Sequence, residues 1–399
     1  MKKVLVGAMA LLTLAACSNE EVLQKNEVNQ EIGFTAVTGK ALSRAADGYC
    51  NSAMPTSFKV WASYTDDGTN YKQYFKDETY TKGSGSDYSS SGPVRYWPDL
   101  GTDADTKKMK FFAFVNATPD WHTSQKDKMV VNFTVDGTVS AQKDFIYAVS
   151  AVEKKPDAAQ KLFFRHALSQ IEFRAQNQNT KIYVEIDGVQ VCKVNGTGTF
   201  TLDAATTNYF EDHSTGTLPD GGFGKDPADS DTRLGRGTWS AQSTPSNYET
   251  TFTAVELNNT VKNLTPEDGK EYTSKSMYLI PQTLTAWDKS AAASTQSGSY
   301  FLVKALIYNI SGSTVDKNND VVLWGDNISG TWKSKYIAIP VPASTTWVDG
   351  KRYVYTFIFT TDGNSGYDPG TNDPVLTPIT LDVKIDDFVD ETNKDVDMK

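Results

Sequence analysis

A chain of 399 residues has room for two or three domains with substantial cores. Its 39 lysines and arginines against 49 aspartates and glutamates leave a net charge of −10, the wrong sign for a nucleic-acid partner, because phosphate binding needs a basic face. A hydrophobic share of 39 % with 28 glycines and 15 prolines is globular, and only 3 scattered histidines argue against a zinc enzyme or a histidine-based triad.

At the N-terminus, Lys2 and Lys3 precede an apolar run, Val4 to Leu14, that is too short to cross a bilayer as a helix. The run ends in Leu14-Ala15-Ala16-Cys17 and switches abruptly to Ser18-Asn19-Glu20-Glu21. This pattern resembles a bacterial lipobox. It predicts a signal peptide over residues 1–16 and a lipidated Cys17 as the mature N-terminus, anchored to the outer membrane by its acyl chains. The pair Glu20-Glu21 resembles the surface-export tag of lipoproteins in gut and oral anaerobes. Cys50 and Cys192 show no framework spacing, so two buried small side chains are expected ahead of a disulfide, with pairing left open.

Along the body, period-two alternation predicts strands at Phe58–Tyr64, Lys110–Val115, Asp144–Val149, Leu162–Phe164, Ile171–Ala175 and Lys181–Ile186. The run Lys110–Val115 is dense enough for a strand buried on both faces, and Asp187-Gly188 reads as a tight turn. Further strands fall at Ser276–Pro281, Tyr300–Asn309, Tyr336–Val341, Arg352–Thr360 and Thr380–Ile385. No window outside the signal segment keeps a helical stripe. Thr81–Gly92 and Asp212–Asn247 read as long polar loops, and the pattern breaks at Lys154-Lys155-Pro156-Asp157. The expectation is an all-β chain of β-sandwich architecture, with an N-terminal unit over 45–160 and a larger one over 161–399.

Motifs that carry chemistry are missing. Gly83-Ser84-Gly85-Ser86 lacks the lysine and helix of a phosphate loop, and no Gly-x-Ser-x-Gly elbow occurs. His122, His166 and His213 share no metal-ligand spacing, and His166 fits a structural histidine better than a ligand. Asp316 to Asp320 begins like a calcium loop, but Val321 stands where the turn requires glycine, so a solvated hairpin tip is expected. No catalytic residue, metal or cofactor is predicted, and the many aromatics fit core positions of strands.

Several segments, in order and spread over nearly the whole chain, resemble the fimbrillin family of pilin-like surface lipoproteins. They are the lipobox; Glu31 to Ala36 running to Ser43-Arg44-Ala45; Val94-Arg95-Tyr96-Trp97-Pro98 leading into Phe111 to Phe114; and Asp144 to Ala148. Leu162 to Ile171, Leu279 to Thr283, Gly350 to Tyr355 and Pro378 to Val383 complete the set. The resemblance implies two tandem transthyretin-like β-sandwiches and a location at the cell surface or in a fimbrium. It also implies a subunit that polymerises with other fimbrial subunits after an extracellular trypsin-like protease removes its first strand. On that pattern, residues 17–44 form the tether and removable strand, with Ile32, Phe34 and Ala36 on its apolar side and the cut between Arg44 and Ala45. The candidate donor strand is 377–390, whose Ile379, Leu381, Val383 and Ile385 share one face; a permanent edge guarded by Asp386, Asp387, Asp390 and Glu391 is the other reading. Shaft, tip and anchor roles remain open. The competing function is a monomeric surface lipoprotein that binds a glycan or host ligand without polymerising, for which the Asp212–Asn247 loop speaks.

Overall fold

Alternation of apolar and polar residues is realised as strands throughout the residues described in this computed structural model: 30–38, 54–85, 87–98, 100, 107–152, 159–203, 237–240, 245–264, 276–288, 291, 295–342, 344–362 and 366–387. In chain order the strands are β1 (Phe34–Thr38), β2 (Ser57–Thr65), β3 (Lys72–Lys82), β4 (Asp87–Ser90), β5 (Lys108–Val115), β6 (Asp120–His122), β7 (Gln125–Thr134), β8 (Ile146–Val152) and β9 (Gln160–His166). They continue as β10 (Ser169–Asn177), β11 (Ile182–Asn195), β12 (Thr197–Asp203), β13 (Thr238–Ser240), β14 (Pro245–Glu256), β15 (Lys262–Asn263) and β16 (Met277–Leu279). The last are β17 (Tyr300–Asn309), β18 (Val321–Trp324), β19 (Asp326–Ile328), β20 (Thr331–Lys333), β21 (Lys335–Pro340), β22 (Lys351–Phe359) and β23 (Ile379–Asp387). The fold is all-β, as the sequence predicts.

The N-terminal sheet closes on itself in the order β1-β4-β3-β2-β5-β8-β9. Two further sheets, β15-β10-β22-β23 with β16 beside β10 and β14-β11-β17-β18 with β21 beside β17, face each other through aromatic side chains. Phe301 of β17 lies 4.6 Å from Tyr355 of β22 and 5.5 Å from Phe173 of β10, measured between ring centres. This is the packing of two inner faces in a sandwich. A fourth sheet, β13-β12-β7-β6, lies against the outside of the barrel wall: Phe200 of β12 sits 5.1 Å from Phe145 and 4.8 Å from Tyr147 of β8.

Strand β5 explains how one wall serves two layers. Phe111, Ala113 and Val115 point into the barrel, while Phe112 and Phe114 point the other way into the second core. A strand apolar on both faces is what such a position demands, which accounts for the unbroken run Phe111 to Val115.

Several sequence expectations are corrected. Asp187-Gly188 is no turn: β11 runs straight through it, with a register shift between Ile186 and Gly188 against both β14 and β17. A Cβ on Gly188 would stand 3.4 Å from the Thr250 carbonyl oxygen and 3.5 Å from the Lys304 Cβ, so glycine serves a bulge with close neighbours. The expected loop Thr81–Gly92 contains β4, and the described end of the Asp212–Asn247 stretch contains β13 and the start of β14. In β13, Trp239 donates from Nε1 to the Ala167 carbonyl at 2.7 Å and packs 5.2 Å from Phe200. Apart from these corrections, β9 spans the expected boundary between residues 160 and 161 and pairs with barrel strands β1 and β8, and the chain passes to the next sheet after His166.

Phe173 is fully buried between the facing sheets, so Phe173→Ala should cost roughly 3–5 kcal/mol through lost burial and a cavity. Leu376→Ala, at a position 83 % exposed, should change stability by no more than about 0.5 kcal/mol. Urea titration followed by circular dichroism distinguishes the two.

Candidate functional site

The residues that the sequence assigns to a removable first strand come together in one place. Strand β1 lies between β4 and β9 and completes the barrel. Against β9 it runs parallel through five paired positions, from Phe34 opposite Gln160 to Thr38 opposite Phe164. Against β4 it pairs only at Phe34 and Thr35. Gln160 adds one more bond by donating its N–H to the Gly33 carbonyl at 2.8 Å.

The inward row is Ile32, Phe34 and Ala36, all buried. Phe34 is fully enclosed, with ring centres 4.7 Å from Tyr80, 5.2 Å from Phe111 and 6.2 Å from Phe58, each meeting it edge to face. Such contacts add to the area term, which for large apolar side chains is roughly 1.5–3 kcal/mol each. The hydroxyls around Phe34 are held in this apolar setting as neutral groups. Burial raises the pKa of Tyr80 far above that of a free phenol, and burial raises that of Tyr88 as well. Tyr88 Oη donates to the Pro55 carbonyl at 2.7 Å, beside the β2 strand. The groove is therefore lined mainly by aromatic side chains, with the Glu78–Arg95 ion pair close by, and suits an alternating apolar strand.

The second candidate, β23, is an edge strand of its sheet and pairs antiparallel with β22 along nine positions, from Lys351 opposite Asp387 to Phe359 opposite Ile379. Its apolar row loses cover along its length. Ile379 is fully buried, Leu381 and Val383 are half-buried against the core, and Ile385 is 59 % exposed. Cys17, Arg44, Ala45, Cys50 and the segment beyond Asp387 lie outside the described residues.

Elsewhere the side chains read as structure. His166 Nδ1 lies 2.8 Å from Asp144 Oδ2, both buried. Asp316 to Asp320 forms a hairpin tip: Asp316 accepts from the Asn318 N–H at 3.0 Å, and Asp320 accepts from the Asp316 N–H at 2.7 Å. Among the described residues no group of His, Cys, Asp and Glu is placed to hold a metal. Cys192 is buried and donates to Gln190 Oε1 at 3.1 Å; burial pushes its thiol up to about 12.

Sequence reasoning marked Val94–Pro98 as a family-like segment but did not find that it holds the outer flank of β1 or that it is fastened to β3. Arg95 binds Glu78, 17 positions earlier, and no local pattern links the two.

Residues 43–386 match the fimbrillin-like family, and the chain belongs to it. It is 27 % identical over 237 residues to the fimbrium subunit Fim1C of Phocaeicola vulgatus, a match covering 52 % of this chain and 58 % of that relative. The match thus spans little more than half the length of this relative. Among solved structures, a candidate cell adhesion protein from Bacteroides uniformis aligns over 90 % of this chain and 98 % of its own at 11 % identity, with a TM-score of 0.43. The tip fimbrial protein Mfa3 of Porphyromonas gingivalis, with a C-terminal truncation, aligns over 90 % of this chain and 100 % of its own at 11 % identity, with a TM-score of 0.34. Family membership agrees with the expectation that the chain is not an enzyme.

Two outcomes test this arrangement. Phe34→Ala should destabilise the barrel by roughly 3–5 kcal/mol in urea titration, because the cavity opens at the centre of the slot. In a chain carrying Cys17→Ser and Cys50→Ser, Cys192 should stay unreactive to a thiol reagent at pH 8 and react once the protein is unfolded, since thiolate rather than thiol attacks.

Proposed function

We propose that this protein is a fimbrial subunit or adhesin precursor, exported as a surface lipoprotein through Cys17, cut between Arg44 and Ala45, and assembled with other fimbrial subunits by β-strand exchange. The observation that carries the reading is the place of β1. A strand of five residues closes the barrel, and its Phe34 and Ala36, with Ile32 just ahead of it, fill the slot. Its loss would open a groove edged by β4 and β9 and lined by apolar side chains, which is the template for strand addition. Family membership and the relative named as a fimbrium subunit support the same reading.

A cut after Arg44 makes β1 a separate piece, held only by its own contacts, and leaves Cys17 with the piece removed. The extracellular trypsin-like protease and the lipid anchor are thus two partners of one event. The donor is assigned to β23: its row Ile379, Leu381, Val383 and Ile385 is longer than that of β1, and its outer half is already partly exposed. Additional buried side chains at roughly 1.5–3 kcal/mol each favour the incoming strand over the departing one.

Arg44→Ala should yield a folded, lipid-anchored, full-length monomer, whereas the unaltered protein treated with low-dose trypsin should begin at Ala45 and form SDS-resistant oligomers on a gel. Ile385→Asp changes an exposed side chain, so it should leave the monomer intact and be cut normally, yet elongate slowly. Normal fibres from Arg44→Ala cells, or mature surface protein beginning at Cys17, would replace this reading with a monomeric ligand-binding lipoprotein.

A further inference from the structure

The two ends of β1 are held differently. From Ala36 to Thr38 its strand pairing is with β9, while β4 pairs only at Phe34 and Thr35. Residues 30–32, which lead into β1, pair instead with a piece of chain that belongs to no strand, the strap Val94–Pro98. Ile32 donates its N–H to the Arg95 carbonyl at 2.7 Å, Trp97 donates its N–H to the Gln30 carbonyl at 3.1 Å, and Glu31 bridges Tyr96.

The strap has one fastened side and one wet side. Its fastenings come largely from β3. Arg95 reaches Glu78 Oε1 with Nη2 at 2.6 Å and Nε at 2.8 Å, and Tyr74 Oη donates to the Tyr96 carbonyl at 2.7 Å. The Trp97 ring meets Phe111 edge to face at 5.5 Å. On the other side, Val94 and Tyr96 are 46 % and 42 % exposed. The Glu78 carboxylate is only 12 % exposed, so its pairing with Arg95 offsets a charge otherwise poorly hydrated. Burial raises the pKa of Tyr74, which keeps its hydroxyl a donor.

We propose that Tyr74 and Glu78 are positioning residues of the strand site: through Tyr96 and Arg95 they hold the strap as a latch across residues 30–32, and opening the latch is the first step by which β1 leaves. The inference rests on the reading that β1 is removed, and it adds where that removal begins. Hydrogen-bonded segments open from ends with few fixed contacts, and the backbone bonds between residues 30–32 and the strap last while the strap is fastened. Because the strap meets these residues through backbone groups, it would close equally over a strand of different sequence.

The test uses the uncut, full-length protein and hydrogen exchange. Tyr74→Phe and Glu78→Gln should each speed exchange of the Ile32 and Trp97 amides about tenfold, the scale of one lost hydrogen bond, while the Phe111 and Ala113 amides of β5 keep their wild-type rates. Tyr74→Phe preserves the ring, so at least one variant keeps the fold. Unchanged exchange at Ile32 and Trp97 overturns the latch, and so does an equal rise across β5, which would mean general loosening. If the local rise is found but the trypsin-cut variants form no oligomers, the latch stands and strand exchange fails, so the two readings part.

Discussion

Closure of the barrel by β1 is the constraint on which the N-terminal half of the structure depends. A sheet that closes has no free edge, and here one five-residue strand separates the closed state from an open one. Phe34 carries that closure. Its ring touches residues from β2, β3 and β5, so three strands of the wall share one side chain supplied by a fourth. The phenols nearby are kept neutral by burial, and the Glu78 carboxylate close to the slot is paired with Arg95 of the strap rather than with a residue of β1.

The barrel is also tied to the C-terminal sheets. Phe112 and Phe114 of β5, together with Tyr147 of β8 and Phe145 just before it, face a second core that includes Phe200 of β12 and the facing sheets beyond it. Two-faced strands of this kind leave the barrel wall supported from outside even where its seam at β1 is short. The wall is braced from outside, whereas the pairing of β1 with β4 is confined to two positions.

Much of this was legible in the sequence because apolar density marks central strands. The runs at β5, β17 and β22 have too many apolar residues for anything but burial, and the alternation of Ile32, Phe34 and Ala36 marks the inward row of β1. Strands with a wet face were harder to read. β3 exposes Lys72, Gln73, Lys76, Asp77 and Thr81, and β14 is rich in Thr and Glu, so neither shows clean alternation. Asp187-Gly188 misled because a local turn preference lost to pairing on both sides of β11. The role of the strap stayed hidden for a related reason. Its meaning lies in backbone bonds to residues 30–32 and in an ion pair to β3, and neither leaves a periodic trace.

The parallel pairing of β1 with β9 also sets an order of events in the life of the chain. Phe34 finds its partner at Gln160, so a chain delivered from its N-terminus carries β1 and β2 to β5 long before the strand that seals them arrives. During that interval the half-built sheet presents unpaired edges at β1 and β5, and only the later arrival of β8 and β9 hides them. A seam closed by residues so far apart in sequence therefore leaves the partly made sheet with a bare edge for longer than a hairpin would, and a bare edge is a template on which another strand can pair.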